Sequence, residues 1–283
     1  MSNTKEEPKI LFVGEGHGAH SAFRSLAKEF NNIYVLSGID PKLDALAASD
    51  KLHPVLTHEG FDLIVTAGYR HKFPNELIEK IVLINIHYAL LPRFRGLHSL
   101  VWAMLNHEPK IGLTMHIVNG EFDAGPILHQ YAVDHHKQTS WEFMHLFDDY
   151  VEGNLGRVVR GYWEGDIQPM PQDSEQAVWC CRRNLDDCKI DFNASNKDLE
   201  VFFRALVKPY PIPFLLVKGI SYGVVEYEIK TRYYTVPVGR VVNVDKHGAW
   251  IKVRDGFLVV KTLESPEGTL LPAEKVLKLG MRL

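Results

Sequence analysis

Cysteine is scarce in this chain. Its 283 residues hold only Cys180, Cys181 and Cys188, an odd number in one short stretch, which excludes a disulfide framework and fits a reducing compartment. These three are also a poor start for zinc. Adjacent Cys180 and Cys181 lack the spacing of structural zinc ligands, and neither His17 with His20 nor His135 with His136 completes a set, so no metal is expected. Long hydrophobic runs are missing too: none approaches the ~20 residues that span a bilayer. The start, Met1-Ser2-Asn3-Thr4-Lys5-Glu6-Glu7, is polar and acidic rather than basic and then apolar, so no leader is read and a cytoplasmic protein is expected. Repeats and low-complexity tracts are absent. So is a strong charge of one sign: the net charge is −3, and residues 196–283 hold 14 Lys/Arg against 9 Asp/Glu. An excess so small and scattered falls short of the basic stripe of a nucleic-acid binder, and suits a nucleotide or pyrophosphate at least as well.

What is present is apolar material, 46% of the chain, enough for one large domain or two ordinary ones. Strands are expected at Lys9–Val13, Ile33–Leu36, Phe61–Thr66, 81–88 and 111–118, and helices after Gly14-Glu15-Gly16-His17-Gly18 to about Glu29, from Pro41, over 74–80 and over 97–108. That alternation predicts an α/β fold with a Rossmann-like, doubly wound parallel sheet. A long helical pattern from Thr139 to about Trp163 closes it. The stretch Gln168-Pro169-Met170-Pro171-Gln172-Asp173 reads as a linker. Beyond it come a helix from Asn196 to Lys208, the breaker Pro209-Tyr210-Pro211-Ile212-Pro213, and β-rich segments that suit a smaller OB-like barrel. The expected division is 1–178 and 179–283.

The most informative feature is a pair of polar residues on an apolar strand, Ile81-Val82-Leu83-Ile84-Asn85-Ile86-His87-Tyr88. Positions two apart on a strand share a face, roughly 7 Å from one another, so an amide and an imidazole point the same way. They stand toward the C-terminal end, where open α/β sheets place their ligands. The next segment, Leu90-Leu91-Pro92-Arg93-Phe94-Arg95-Gly96, cannot continue the strand and forms a shaped loop with two arginines. Further on, Asp123 stands between Gly120 and Gly125-Pro126 in a turn. An amide donor for an oxyanion, an imidazole to move a proton and a carboxylate to charge that imidazole make a set fit for acyl transfer.

Other motifs point to less. Gly14, Gly16 and Gly18 miss the G-x-G-x-x-G spacing, since position 19 is Ala, and Asp40 is only a loose candidate for a ribose-binding acid; a tight turn bordering a pocket is the better reading. Arg93 and Arg95 are candidate substrate contacts, with a structural role for Arg95 as the other possibility. Tyr222, Tyr227, Tyr233 and Tyr234 suit strands as readily as a nucleotide base, and Tyr222 is the one taken as a candidate.

Asn85-Ile86-His87, Leu90-Leu91-Pro92 with Arg95-Gly96, Gly112-Leu113-Thr114 and Asp123-Ala124-Gly125 resemble, in order and spacing, the signature of the 10-formyltetrahydrofolate-dependent formyltransferases. Phe203-Arg204-Ala205-Leu206 with Pro209-Tyr210-Pro211, and the segment 238–264, resemble the family's downstream domain, so the likeness covers most of the chain. One departure is Ala89, where the family often has Ser or Gly. The resemblance implies transfer of a formyl group from 10-formyltetrahydrofolate to a primary amine, without metal. Asn85 and His87 would donate to the oxyanion, Asp123 would hold the charge state of His87, and the pterin would lie by Ala67-Gly68-Tyr69-Arg70. It further implies a homodimer. For the acceptor, methionyl-tRNA formyltransferases typically carry a long basic insertion after the second strand. The path from Leu36 to Phe61 holds only Lys42 and Lys51 as basic residues, among Asp40, Asp44, Asp50 and Glu59. The expectation is therefore a nucleotide-linked (dTDP- or UDP-) amino sugar made for surface polysaccharide, with nucleic acid as the rival.

Overall fold

A computed structural model describes residues 6–47, 52–53 and 60–283. The residues Met1–Lys5 of the polar start, and Asp50, Lys51 and Glu59 of the stretch weighed for a basic insertion, lie outside the described residues. The chain divides into two compact units: Met1–Ala103, Glu108–His136 and Glu142–Arg182 form the first, and Met104–His107, Lys137–Trp141 and Arg183–Leu283 the second.

In chain order the first unit holds β1 (Ile10–Gly14), α1 (His17–Glu29), β2 (Ile33–Leu36), α2 (Pro41–Leu46), β3 (Leu52–His53), β4 (Leu63–Ala67), α3 (Asn75–Ile78) and β5 (Val82–His87). There follow β6 (Arg95–Gly96), α4 (Ser99–Leu105, whose last residues belong to the second unit), β7 (Lys110–Ile117), β8 (Ile127–Asp134), α5 (Ser140–Glu164) and β9 (Trp179–Cys180). The main sheet runs β3-β2-β1-β4-β5-β7-β8, and its first five strands are parallel. Every residue of β1 and β4 is buried, which is what strands covered on both faces require. Helix α1 buries Ala19, Ala22, Phe23 and Leu26, one apolar stripe at helical spacing. Gly14 permits a close approach: a Cβ there would stand 2.5 Å from the Ala67 carbonyl oxygen. Asp40 caps α2 through Lys42 and Leu43, and also accepts from the Gly16 N–H at 2.7 Å and bonds His20 at 2.9 Å, so its carboxylate ties a turn together rather than standing free for a ribose.

The Rossmann-like class holds, with one strand direction differing from expectation. β7 runs antiparallel to β5, and β8, absent from the sequence reading, runs antiparallel to β7. Burial on both faces gives a strand its apolar run whichever way it points, and an antiparallel edge on an otherwise parallel sheet is common; here β7 and β8 make that edge, joined by the turn that carries Asp123. No helix among the described residues is long and apolar enough to cross a membrane.

The second unit contains α6 (Asn196–Ala205), β10 (Phe214–Val217), β11 (Ile220–Thr231), β12 (Val241–Asp245), β13 (Gly248–Val253), β14 (Gly256–Glu264), β15 (Leu270–Pro272) and α7 (Ala273–Val276). Its antiparallel sheet runs β10-β11-β14-β13-β12, with β15 on β14. Ser195 and Asp198 form a reciprocal capping box that starts α6, and Leu199 and Phe203 on that helix join a core with Val224, Ile251, Leu258 and Leu263.

Candidate active site

Strand register gathers the polar groups. Asn85 on β5 pairs with Thr66 on β4 and with His116 on β7, so a row of polar side chains crosses an otherwise apolar sheet. Asn85 Nδ2 lies 3.2 Å from His116 Nε2. His116 Nδ1 donates to the Ile117 carbonyl at 3.0 Å, because a carbonyl only accepts, and its Nε2 lies between the Asn85 amide and Asp123 Oδ1, the latter at 3.4 Å. The Asn85 amide can offer an N–H to an oxygen in the site.

His87, two residues on, is buried. Its Nε2 donates to the Phe94 carbonyl at 2.8 Å, so Nδ1 is the nitrogen left to exchange a proton, and Nδ1 faces Asp123 Oδ2 at 3.5 Å. Burial is the larger influence on this imidazole and lowers its pKa from the ordinary histidine value; Asp123 and the Phe94 carbonyl pull the other way. Asp123 is also within 3.4 Å of His116 through Oδ1 and accepts the Gly96 N–H at 2.8 Å through Oδ2. Burial would raise its carboxyl, but His87, His116 and the Gly96 N–H outweigh it and bring the pKa down to about 2. The site therefore holds a permanent carboxylate beside a histidine reluctant to charge, with a donor amide on the same face.

The loop between β5 and β6 is held firmly. Thr114 Oγ1 donates to the Ala89 carbonyl at 2.7 Å and accepts from Leu91 N at 3.1 Å, while Gln130 Nε2 donates to the Leu91 carbonyl at 2.8 Å. Ala89 thus contributes its backbone, and the departure at this position leaves the loop anchored. Gly96 on β6 is set by pairing with Cys180 on β9. Asp123 has φ of 51°, an uncommon conformation for a residue with a side chain. A Cβ on neighbouring Gly125 would stand 1.8 Å from the Ile117 carbonyl oxygen, so only glycine fits.

The remaining candidates are spread wider. Ala67 ends β4, and Gly68, Tyr69 and Arg70 follow it directly. Gly68 has φ of 69° and lies against the Glu15 backbone, Arg70 pairs with Glu15 at 3.0 Å, and Tyr69 packs on Phe73 with ring centroids 5.0 Å apart. Arg93 is half exposed and pairs with Glu108. Arg95 is only 2% exposed, and its Nε and Nη2 both donate to Gln172 Oε1, at 3.1 and 2.8 Å; of the two roles weighed for it, burial supports the structural one. Tyr222 belongs to the second unit, where it pairs with Leu215 and packs on that unit's core, and Tyr227 stacks on Phe203 at 3.9 Å. Among the described residues no group of three or more His, Cys, Asp and Glu side chains is placed to hold a metal.

Two partners escaped the sequence reading. His116 carries a usable signal, since it alternates with Thr114 on a strand and so shares a face with it. Gln172 carries none, because it stands in a proline-flanked stretch that reads as a linker. A further cluster, His17 and Tyr88 both bonded to the buried carboxylate of Asp148, raises the pKa of His17 chiefly through that hydrogen bond; it ties α1 to α5 beside the end of β5.

Two family models match the chain: formyl transferase over residues 27–146, and formyl transferase, C-terminal domain, over residues 184–279. A methionyl-tRNA formyltransferase of Fusobacterium nucleatum is 29% identical over 310 aligned positions, covering 97% of this chain and 99% of the relative. HypX from Aquifex aeolicus, solved in complex with tetrahydrofolic acid, superposes with a TM-score of 0.68 at 20% identity, covering 96% of this chain and 47% of its own; the chain spans about half the length of HypX. An N-formyltransferase from Helicobacter canadensis, solved with folinic acid and dTDP-3-aminofucose, superposes with a TM-score of 0.67 at 17% identity, covering 89% of this chain and 98% of its own. At these identities the likeness to the two structures is one of fold.

Proposed function

The chain belongs to the formyl transferase family, whose formyl donor is 10-formyltetrahydrofolate, and on that premise we propose that its acceptor is the amine of a nucleotide-linked amino sugar, dTDP- or UDP-bound, made for surface polysaccharide. The observation that carries the chemistry is the meeting of Asn85, His87 and Asp123, with Nδ1 of the imidazole 3.5 Å from the carboxylate. The acceptor amine, as its free base, attacks the formyl carbon and, as the new C–N bond forms, gives up a proton toward Asp123 and His87. The carbonyl oxygen takes the negative charge and is met by an amide N–H of Asn85 and by His87. As the carbonyl reforms, the bond from carbon to the folate nitrogen breaks and that nitrogen takes the proton, leaving tetrahydrofolate and the formamide. The donor's pterin is assigned to the Ala67–Arg70 loop, where the positive φ of Gly68 brings main-chain groups close to Glu15 and leaves no side chain in the way. Arg93 and Tyr222 are proposed acceptor contacts, the enzyme is proposed to work as a homodimer, and its place of work is the cytoplasm, consistent with three free cysteines.

The choice of acceptor rests on charge. Between Leu36 and Phe61 the chain has two lysines, and its pI is 6.5, thin for holding a polynucleotide backbone. Its alignment with the tRNA enzyme is longer than the chain itself, so that relative has segments with no counterpart here. The end-to-end match with that relative favours the second reading, formylation of initiator Met-tRNA. Incubation with 10-formyltetrahydrofolate and either dTDP- and UDP-linked amino sugars or initiator Met-tRNA, at low and moderate salt, separates the two. Formylated amino sugar is the expected product; robust turnover of Met-tRNA with none of any amino sugar overturns the acceptor while leaving the chemistry in place.

A further inference from the structure

Gln172 has the bonding of a site residue. Its Nε2 donates to two carbonyls, Asp123 at 2.8 Å and Gly125 at 2.7 Å, and its Oε1 accepts twice from the buried guanidinium of Arg95. The amide orientation follows from chemistry: arginine has only donors and carbonyls only acceptors, so oxygen must face Arg95 and nitrogen the loop. A glutamate would satisfy Arg95 but set oxygen against oxygen at the loop. The two carbonyls belong to the turn that presents the carboxylate, where Asp123 has φ of 51° and Gly125 is pressed against Ile117, a conformation that persists only where the surroundings over-determine it. Arg95 is fixed in turn, its N–H donating to the Val178 carbonyl at 2.8 Å and its guanidinium over the Trp179 ring at 5.7 Å.

We propose that Gln172 is a positioning residue: oriented by Arg95, it holds the backbone of Asp123 and Gly125 so that the Asp123 carboxylate stands at His87 Nδ1 and His116 Nε2. Its effect on rate rests on the proposed role of Asp123, whereas its effect on His87 does not. The groups that face His87 are Asp123, His116 and the Phe94 carbonyl, and of the two ionisable ones Asp123 is released when the clamp is lost.

Two variants test this. Gln172→Glu keeps Arg95 partnered and removes both loop donors; Arg95→Met with Gln172→Met removes the clamp without leaving a buried unpaired cation, a replacement that folded proteins often tolerate. NMR titration of the His87 ring reads the result directly. His87 should titrate at lower pH in both variants, and the charge added by Gln172→Glu would act in the opposite direction, so a fall there comes from displacement of Asp123. Turnover should drop by about ten- to a hundredfold, the scale of an ångström's misplacement, with acceptor KM changing much less. A cooperatively folded variant in which His87 titrates as in the parent overturns the inference, whatever its activity. A shifted His87 in a protein that formylates no amine supports the positioning and overturns the proposed function instead.

Discussion

Replacing Asp123 by Asn removes a charge and little else. Asn is at home at positive φ, so the φ of 51° is no obstacle, and its amide oxygen can still accept the Gly96 N–H that Oδ2 now takes at 2.8 Å. What goes is the carboxylate 3.5 Å from His87 Nδ1. At an effective dielectric of about 20, two unit charges at that separation attract by roughly 4–5 kcal/mol. His116, which shares the carboxylate, and rearranged solvent reduce this without changing its sign. The sign follows from the balance on His87: burial already holds its pKa low and Asp123 opposes burial, so without the carboxylate the imidazole titrates lower still. The limb of the pH–rate profile that reports His87 should move to lower pH, and kcat/KM should fall by roughly a hundredfold or more. Stability gives a second readout. A carboxyl held at about 2 in the folded state, below its unfolded value of about 3.9, stabilises the protein above that unfolded value and loses the contribution as pH falls toward 2. Urea unfolding should therefore show a steeper loss between about pH 4 and pH 2 in the parent than in the variant. A variant within tenfold of parental kcat/KM, or one whose His87 limb does not move, refutes the reasoning.

Three further outcomes follow from the same geometry. Asn85→Ala should lower kcat by about a hundredfold, the usual loss for one oxyanion donor, with the thermal midpoint nearly unchanged; near-parental turnover rejects the amide's role. Gly125→Ala places a methyl 1.8 Å from the Ile117 carbonyl oxygen and should destabilise the protein by about 1–3 kcal/mol, seen as a lower midpoint in thermal unfolding together with reduced activity, and an unchanged midpoint would mean the turn yields freely. Light scattering at micromolar protein should report twice the 32.3 kDa chain mass, because the large apolar side chains left exposed include Ile220, Val225 and Tyr233 and such surface is commonly covered by a second subunit; a clean monomer counts against the dimer.

The main sheet was legible because its strands are short apolar runs punctuated by glycine and proline, and β1, β4 and β5 fall within a residue or two of where the pattern puts them. The same pattern says nothing about direction, which is why β7 was expected parallel. The helix α4 is also shorter than its apolar run, framed by His98 and His107 at positive φ. β8, Ile127–Asp134, was missed because its second half alternates exposed and half-buried residues, so it lacks the apolar run that marks its neighbours. The two-residue strands β6 and β9 are too short to leave any period at all.

The candidate site divides along the same line. Asn85, His87 and Asp123 were found because each has a chemical type that stands out against its surroundings. Their supports did not stand out, since a glutamine after a proline and an arginine in a loop are ordinary at the surface. What makes Gln172 and Arg95 unusual is burial and mutual orientation, properties of the folded chain. Spatially the first unit joins two kinds of element here: β5 and β7 fix Asn85, His87 and His116 through paired backbone, while Asp123 arrives on a turn that has no ladder of its own. A strand needs no outside help to aim a side chain. A turn at strained φ does, and the long return of the chain after α5, which brings Gln172 and Cys180 back to Asp123, Arg95 and Gly96, supplies it.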